Sequence, residues 1–193
     1  MSVIRKFFGP SKEEIWRQLS TEIGAQYVEG GFWRGDKVQA AHGDWVVTLD
    51  TYVISTGKSS IPYTRITVPF ANPGGFRFTI HRRGFFSDIA KWLGMQDVEV
   101  GYPDFDRDFI IKGTNAAKLG QLFGNAKIRA LIEAQPEIHF TIEKGGGLFG
   151  GKKREDVDEL QFVVVGVIKD VARLKQLYEL FAETLDELSR IRG

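Results

Sequence analysis

The chain has 193 residues, 42% hydrophobic and 26% charged, with 26 basic side chains almost balanced by 25 acidic ones for a formal charge of +1. A globular chain of this size buries about 70% of its unfolded surface, and the composition speaks against a disordered tail and against a nucleic-acid binder that depends on phosphate neutralisation. No cysteine is present, which removes thiolate catalysis, disulfides and cysteine-held zinc or iron–sulfur clusters.

Met1 to Phe8 carries Arg5 and Lys6 but no apolar stretch of signal-peptide length. The longest apolar run, Phe162 to Ile168, is strand-sized, so a soluble cytoplasmic protein without a membrane span is expected. Ser11 followed by Glu14 is a capping-box pattern, with Pro10 just upstream. Ile15, Leu19, Ile23 and Tyr27 then recur every fourth residue, which predicts a helix over 11–28 ended by Gly30 and Gly31. Trp45 to Thr56 is rich in β-branched and aromatic residues. Trp45, Val47 and Leu49 share one face there while Tyr52 and Ile54 fall on the other, which suggests a bulge near Asp50 or a strand buried on both faces. Turns at 57–59 and 72–75 lead into Ile61 to Phe70 and Phe76 to Arg82, giving three or four antiparallel strands joined by short hairpins.

Farther along, Phe85 to Leu93 reads as a short helix closed by Gly94, and Phe105 to Lys112 as a strand. Thr114-Asn115 caps a helical region that Gly124-Asn125 divides in two. Strands at Ile138 to Ile142 and Leu160 to Val167 flank a glycine-rich charged loop, and a helix starts at Asp170. In that last helix Val171, Leu174, Tyr178, Phe181, Leu185 and Leu188 follow steps of three and four, widened by Leu177 and Ile191. Such a broad stripe suits a helix laid across a sheet, with a dimer seam as the other use. The expected architecture is α+β: one domain over 1–193, antiparallel sheets backed by long N-terminal and C-terminal amphipathic helices, and a seam between subdomains at 96–103.

Four groups of residues invite chemistry. Gly146, Gly151 and Lys152 have phosphate-loop spacing, but Lys153 stands where a magnesium-binding Ser or Thr is needed, and a strand follows instead of a helix. Asp104, Asp106 and Asp108 alternate at the entry to the expected strand, which would place three carboxylates on one face for a divalent cation. Arg107 and Lys112 offer the competing reading of a neutralised, solvated edge. Arg77, His81, Arg82 and Arg83 form the strongest basic cluster, directly before the aromatic stretch that holds Trp92. A ligand or an anionic membrane surface would suit it. The three histidines, His42, His81 and His139, lie too far apart in sequence to ligate one metal locally, and no nucleophile elbow is present.

The stretch Tyr102-Pro103-Asp104-Phe105-Asp106-Arg107-Asp108-Phe109-Ile110-Ile111, the Lys127-Ile128-Arg129 helix, and Phe162 to Ile168 before Asp170 and the leucine-rich terminus resemble a group of uncharacterised bacterial domains of unknown function. The similarity covers roughly the second half. Members of that group often carry membrane-spanning segments, which this chain lacks, and the resemblance implies no activity and no catalytic residues. The leading reading is a non-enzymatic binding or scaffolding domain, monomeric or homodimeric, that needs no cofactor and does not bind nucleic acid. Its ligand would be a protein segment or an apolar small molecule in a groove between sheet and helix. The alternatives are a divalent-metal hydrolase centred on Asp104, Asp106 and Asp108, and a peripheral membrane adaptor using Arg82 and Arg83.

Overall fold

The computed structural model describes residues 9–31, 35–84, 95–144 and 157–192. Helix α1 spans Lys12–Ile23. The Ser11 hydroxyl accepts from the Glu14 amide and the Glu14 carboxylate accepts from the Ser11 amide, so both partners of the capping box are engaged. The helix stops well before residue 28, because Gly24 takes a left-handed conformation (φ 66°) and turns the chain into strand β1, Gln26–Val28. Tyr27 therefore leaves the helical stripe, and its ring lies under the Arg17 guanidinium instead.

Strands β2 (Lys37–His42), β3 (Trp45–Ser55), β4 (Ser60–Ala71), β5 (Phe78–Arg82) and β6 (Gln96–Asp97) follow. Helix α2 spans Pro103–Asp108, β7 Phe109–Gly113, α3 Ala116–Gly124 and α4 Ala126–Glu133, before β8 (His139–Lys144), β9 (Val157–Val165) and α5 (Val171–Arg192). Asn125 separates α3 from α4, its side chain accepting from the Lys127 and Ile128 amides. The helix expected at Phe85 to Leu93, the glycine loop and Trp92 lie outside the described residues.

The expected plan, sheets backed by long helices at the two ends of the chain, is corrected by the structure. All described strands form one antiparallel sheet of nine, in the order β1-β2-β3-β4-β9-β8-β5-β7-β6. The described helices come from five places in the chain, most of them short, with α2, α3 and α4 sitting between strands. Nor does the run of hairpins continue from β4 to β5, since the β8–β9 pair is inserted between them. Nothing in the local pattern of residues 72–77 signals this. What holds the crossing is a long-range contact: the Asn72 amide donates to the Phe76 carbonyl and, at 2.6 Å, to the buried Asp158 carboxylate at the head of β9.

One face of the sheet carries a continuous apolar row. Val38, Leu49, Ile66, Phe162, Phe140, Ile80 and Ile111 succeed one another across seven strands by register. The helices close this face. Phe181 of α5 meets Phe140 edge-on at 5.3 Å, Phe123 of α3 meets Phe78 at 5.6 Å, and Phe105 of α2 joins Phe123 and Phe109. Around α5, Trp16 donates from its indole to the Ile168 carbonyl, and Tyr178 donates to the Val38 carbonyl at 2.9 Å. Between the sheet and α5, Phe140, Phe162, Phe181 and Leu185 are all buried.

Candidate functional site

Because α1 to α5 all contact the apolar face, the other face carries no described helix. Period-two alternation puts Val46, Thr48, Asp50, Tyr52 and Ile54 of β3 on this helix-free face. No bulge occurs near Asp50. Thr48 to Ser55 pair without interruption with Thr67 to Ser60, Tyr52 facing Tyr63 and Ile54 facing Ile61. The apparent switch of faces in Trp45 to Thr56 reflects a strand with apolar side chains on both sides, the second set belonging to a surface of its own.

That surface has a defined chemistry along its rungs. At one end the Tyr52 and Tyr63 rings stack at 5.1 Å, and Tyr63 faces Val165 of β9. On the next rung Arg65 donates to Asp50 through two nitrogens, at 2.9 and 2.6 Å, with its guanidinium 5.3 Å from the Tyr52 ring. This bidentate pair raises the Arg65 pKa further, while burial raises that of the Tyr52 phenol. A polar rung follows by register, running Gln39, Thr48, Thr67, Gln161, Thr141, Thr79, Lys112 and Asp97 across eight strands. Beyond it Glu159 faces both Pro69 and Glu143. Burial lifts the Glu159 carboxyl above the usual carboxylate range, with Asp50 adding to the effect and Arg65 opposing it. Large apolar side chains remain open to solvent on this face: Val165 is 57% exposed, Val46 47% and Ile54 37%. A surface that pairs exposed aliphatic groups and stacked rings with a fixed ion pair suits recognition of another molecule.

The residues singled out from the sequence do not gather into one site. The Arg77 guanidinium binds the Asp158 carboxylate at 3.2 Å and so belongs to the crossing from β4 to β5. Arg82 donates to the carbonyls of Glu133 and Gln135 just past α4, and its guanidinium lies 4.7 Å from the Phe109 ring. Arg83 donates to the carbonyls of Arg107 and Asp106 at the end of α2. Both arginines thereby satisfy carbonyls at helix C-termini, a structural task. Only His81 of the basic cluster stands on the helix-free face, where it is nearly buried. Burial lowers its pKa, with the positive charges of Lys112 and Arg83 adding to the shift.

The acidic triplet lies on helix α2, with Pro103 in its first turn, and the strand begins only at Phe109. On a helix the three carboxylates no longer share a face. Asp104, 87% exposed, and Asp108 both pair with Arg107. Asp106 turns inward and accepts from the amides of Val100, Gly101 and Tyr102, fastening the loop before the helix. Among the described residues no group of three or more His, Asp or Glu side chains is placed to hold a metal.

No known family model, curated protein or solved structure matches this chain. Among the described residues no helix is long and apolar enough to cross a membrane.

Proposed function

We propose that this protein is a non-enzymatic binding domain that takes its partner on the helix-free face of the sheet, over β3, β4 and β9. The observation that carries this reading is the pairing of exposed Val165 and Ile54 with the Tyr52–Tyr63 stack and the Asp50–Arg65 pair, on a face that no described helix covers. Flat aromatic rings and aliphatic groups supply contact area at small entropic cost, and a fixed ion pair beside them orients a polar group of the ligand. A partner segment with one or two aliphatic or aromatic anchors next to a hydrogen-bonding group fits this surface.

Selection from a displayed library of random peptides on the immobilised protein tests the proposal. Enriched peptides should carry such anchors, and Val165→Asp and Ile54→Asp should each weaken them at least about tenfold, the order expected when an interface anchor is lost. Arg190→Glu, on the exposed side of α5, should leave affinity unchanged. Enrichment of peptides that respond to Arg190→Glu and ignore Val165→Asp would move the binding surface to the helices and refute the proposal.

A further inference from the structure

β2 pairs with β3 only from Trp45 to Leu49, whereas β4 follows β3 as far as Ser55. The last residues of β3 therefore have a described strand on one side alone. Which of their amides face the open side follows from the ladder. Thr56 donates to the Ser59 carbonyl at 2.9 Å, so these two form a hydrogen-bonded pair. Such pairs alternate along an antiparallel ladder, which gives the same role to Ile54 with Ile61 and to Tyr52 with Tyr63. Val53 and Ser55 take the other phase, with N–H and C=O turned away from β4. The Pro62 carbonyl agrees with this phase, since it turns away from β3 and accepts from the Gly166 amide at 2.7 Å. Among the described residues nothing bonds the backbone of Val53 or Ser55 on the open side.

The side chains at this end are open as well, Val53 being 58% exposed and Ser55 exposed too. From Thr51 to Ser55 there is no charge, proline or bulge, the usual protections of a strand edge. The open side presents four backbone groups, an N–H and a C=O on Val53 and again on Ser55. A second copy of β3, antiparallel to the first, offers the same four groups at the same spacing. With a two-fold axis beside Ile54, Val53 of each copy exchanges two hydrogen bonds with Ser55 of the other. The two Ile54 side chains then face each other in the closer, non-hydrogen-bonded pair. In that register Thr51 comes opposite Gly57 of the second copy, where the hairpin turns with φ 79°. The second strand thus leaves where this chain itself closes in: a Cβ on Gly35 would stand 3.8 Å from the Thr51 carbonyl oxygen.

We propose that the open end of β3 is a self-association edge, at which two copies of this chain join their sheets through Val53, Ile54 and Ser55. A ladder this short falls below the ~1,200 Å² of a standard interface, so the dimer is weak and reversible. Its two-fold axis stands perpendicular to the sheet. The helices of both copies therefore lie on one side, and the two helix-free faces lie next to each other on the other side. A partner carrying two binding segments would meet the same surface twice and gain from the linkage of its segments.

Sedimentation between about 10 µM and about 1 mM should show the mass rising from monomer towards dimer. In amide exchange Val53 and Ser55 should gain protection with concentration, while the Tyr52 and Ile54 amides, already bonded to β4, should not follow. Val53→Pro removes a donor on the open side only and costs the dimer two hydrogen bonds, so association should weaken about tenfold. Ile54→Lys and Ile54→Glu should each stay monomeric, because like charges meet across the axis, and mixing the two should restore a dimer. This charged pair keeps the test intact if Val53→Pro fails to fold. Peptide binding on the helix-free face is read separately, from Val165→Asp, which lies outside this ladder. A monomer throughout the concentration range, a dimer undiminished in Val53→Pro, or a charged mixture that stays monomeric would overturn the proposal.

Discussion

Replacing Phe181 with alanine tests the packing that fixes which face of the sheet is available. Phe181 is fully buried, and it begins a chain of ring contacts that runs through Phe140, Phe78, Phe123, Phe105 and Phe109 at centroid distances of 4.7 to 5.9 Å. Truncating a ring in such a place removes its transfer free energy and leaves a cavity, together about 3–5 kcal/mol. For a chain of this length each kcal/mol moves the melting temperature by about 2–4 °C, so Phe181→Ala should melt roughly 6–20 °C lower. A loss of that size is a large part of a total stability of about 5–15 kcal/mol. Combining it with Phe140→Ala should cost less than the sum of the two, because the edge-to-face contact worth about 0.5–1.5 kcal/mol is lost only once. Thermal melting and sedimentation measured together decide the matter. An unchanged melting curve with a changed mass would show that α5 is an association helix and that the buried face has been misassigned.

Two further substitutions probe individual carboxylates. Glu159→Gln should raise stability at neutral pH, because a carboxyl whose folded pKa is raised by burial favours the fold in acid and loses that contribution as pH rises through the folded value; the gain should vanish below about pH 4, where both proteins carry a neutral side chain. Asp106→Asn keeps one acceptor but loses the charge that serves three backbone amides, and should cost about 1–3 kcal/mol in denaturant unfolding; no change in the unfolding midpoint would contradict the fastening role given to this residue.

Much of the local structure is legible in the sequence, because local rules govern it. Ser11 and Glu14 mark the start of α1, and Asn125 breaks the α3–α4 region, each through hydrogen bonds to amides at most three residues away. The end of α1 is misjudged for a local reason as well. Tyr27 keeps the fourfold spacing by coincidence, and Gly24 outweighs it by adopting a conformation that other residues avoid. The Asp104 to Asp108 stretch has an alternation that suits a strand equally well, and the helix there is settled by tertiary contacts: Phe105 buries against Phe109 and Phe123, and Asp106 turns back to its loop. Sheet order is not legible, because insertion of β8 and β9 between β4 and β5 depends on partners such as Asn72 and Asp158, which lie 86 residues apart. The helix-free face leaves one trace in the sequence, the opposite phase of Tyr52 and Ile54. Local alternation cannot separate a bulge from a second surface, and the Tyr63 and Arg65 partners are visible only once β4 is paired.

Recognition on the helix-free face is open to a direct test. Methyl-labelled protein titrated with a peptide enriched in the selection gives the most direct measurement, since isoleucine and valine methyls sample both faces. Shift changes should concentrate at Val46, Ile54, Ile61, Val163 and Val165, with Val171 and Ile191 of α5 unmoved. Changes centred on Val171 and Ile191, with Ile54 and Val165 silent, would contradict it.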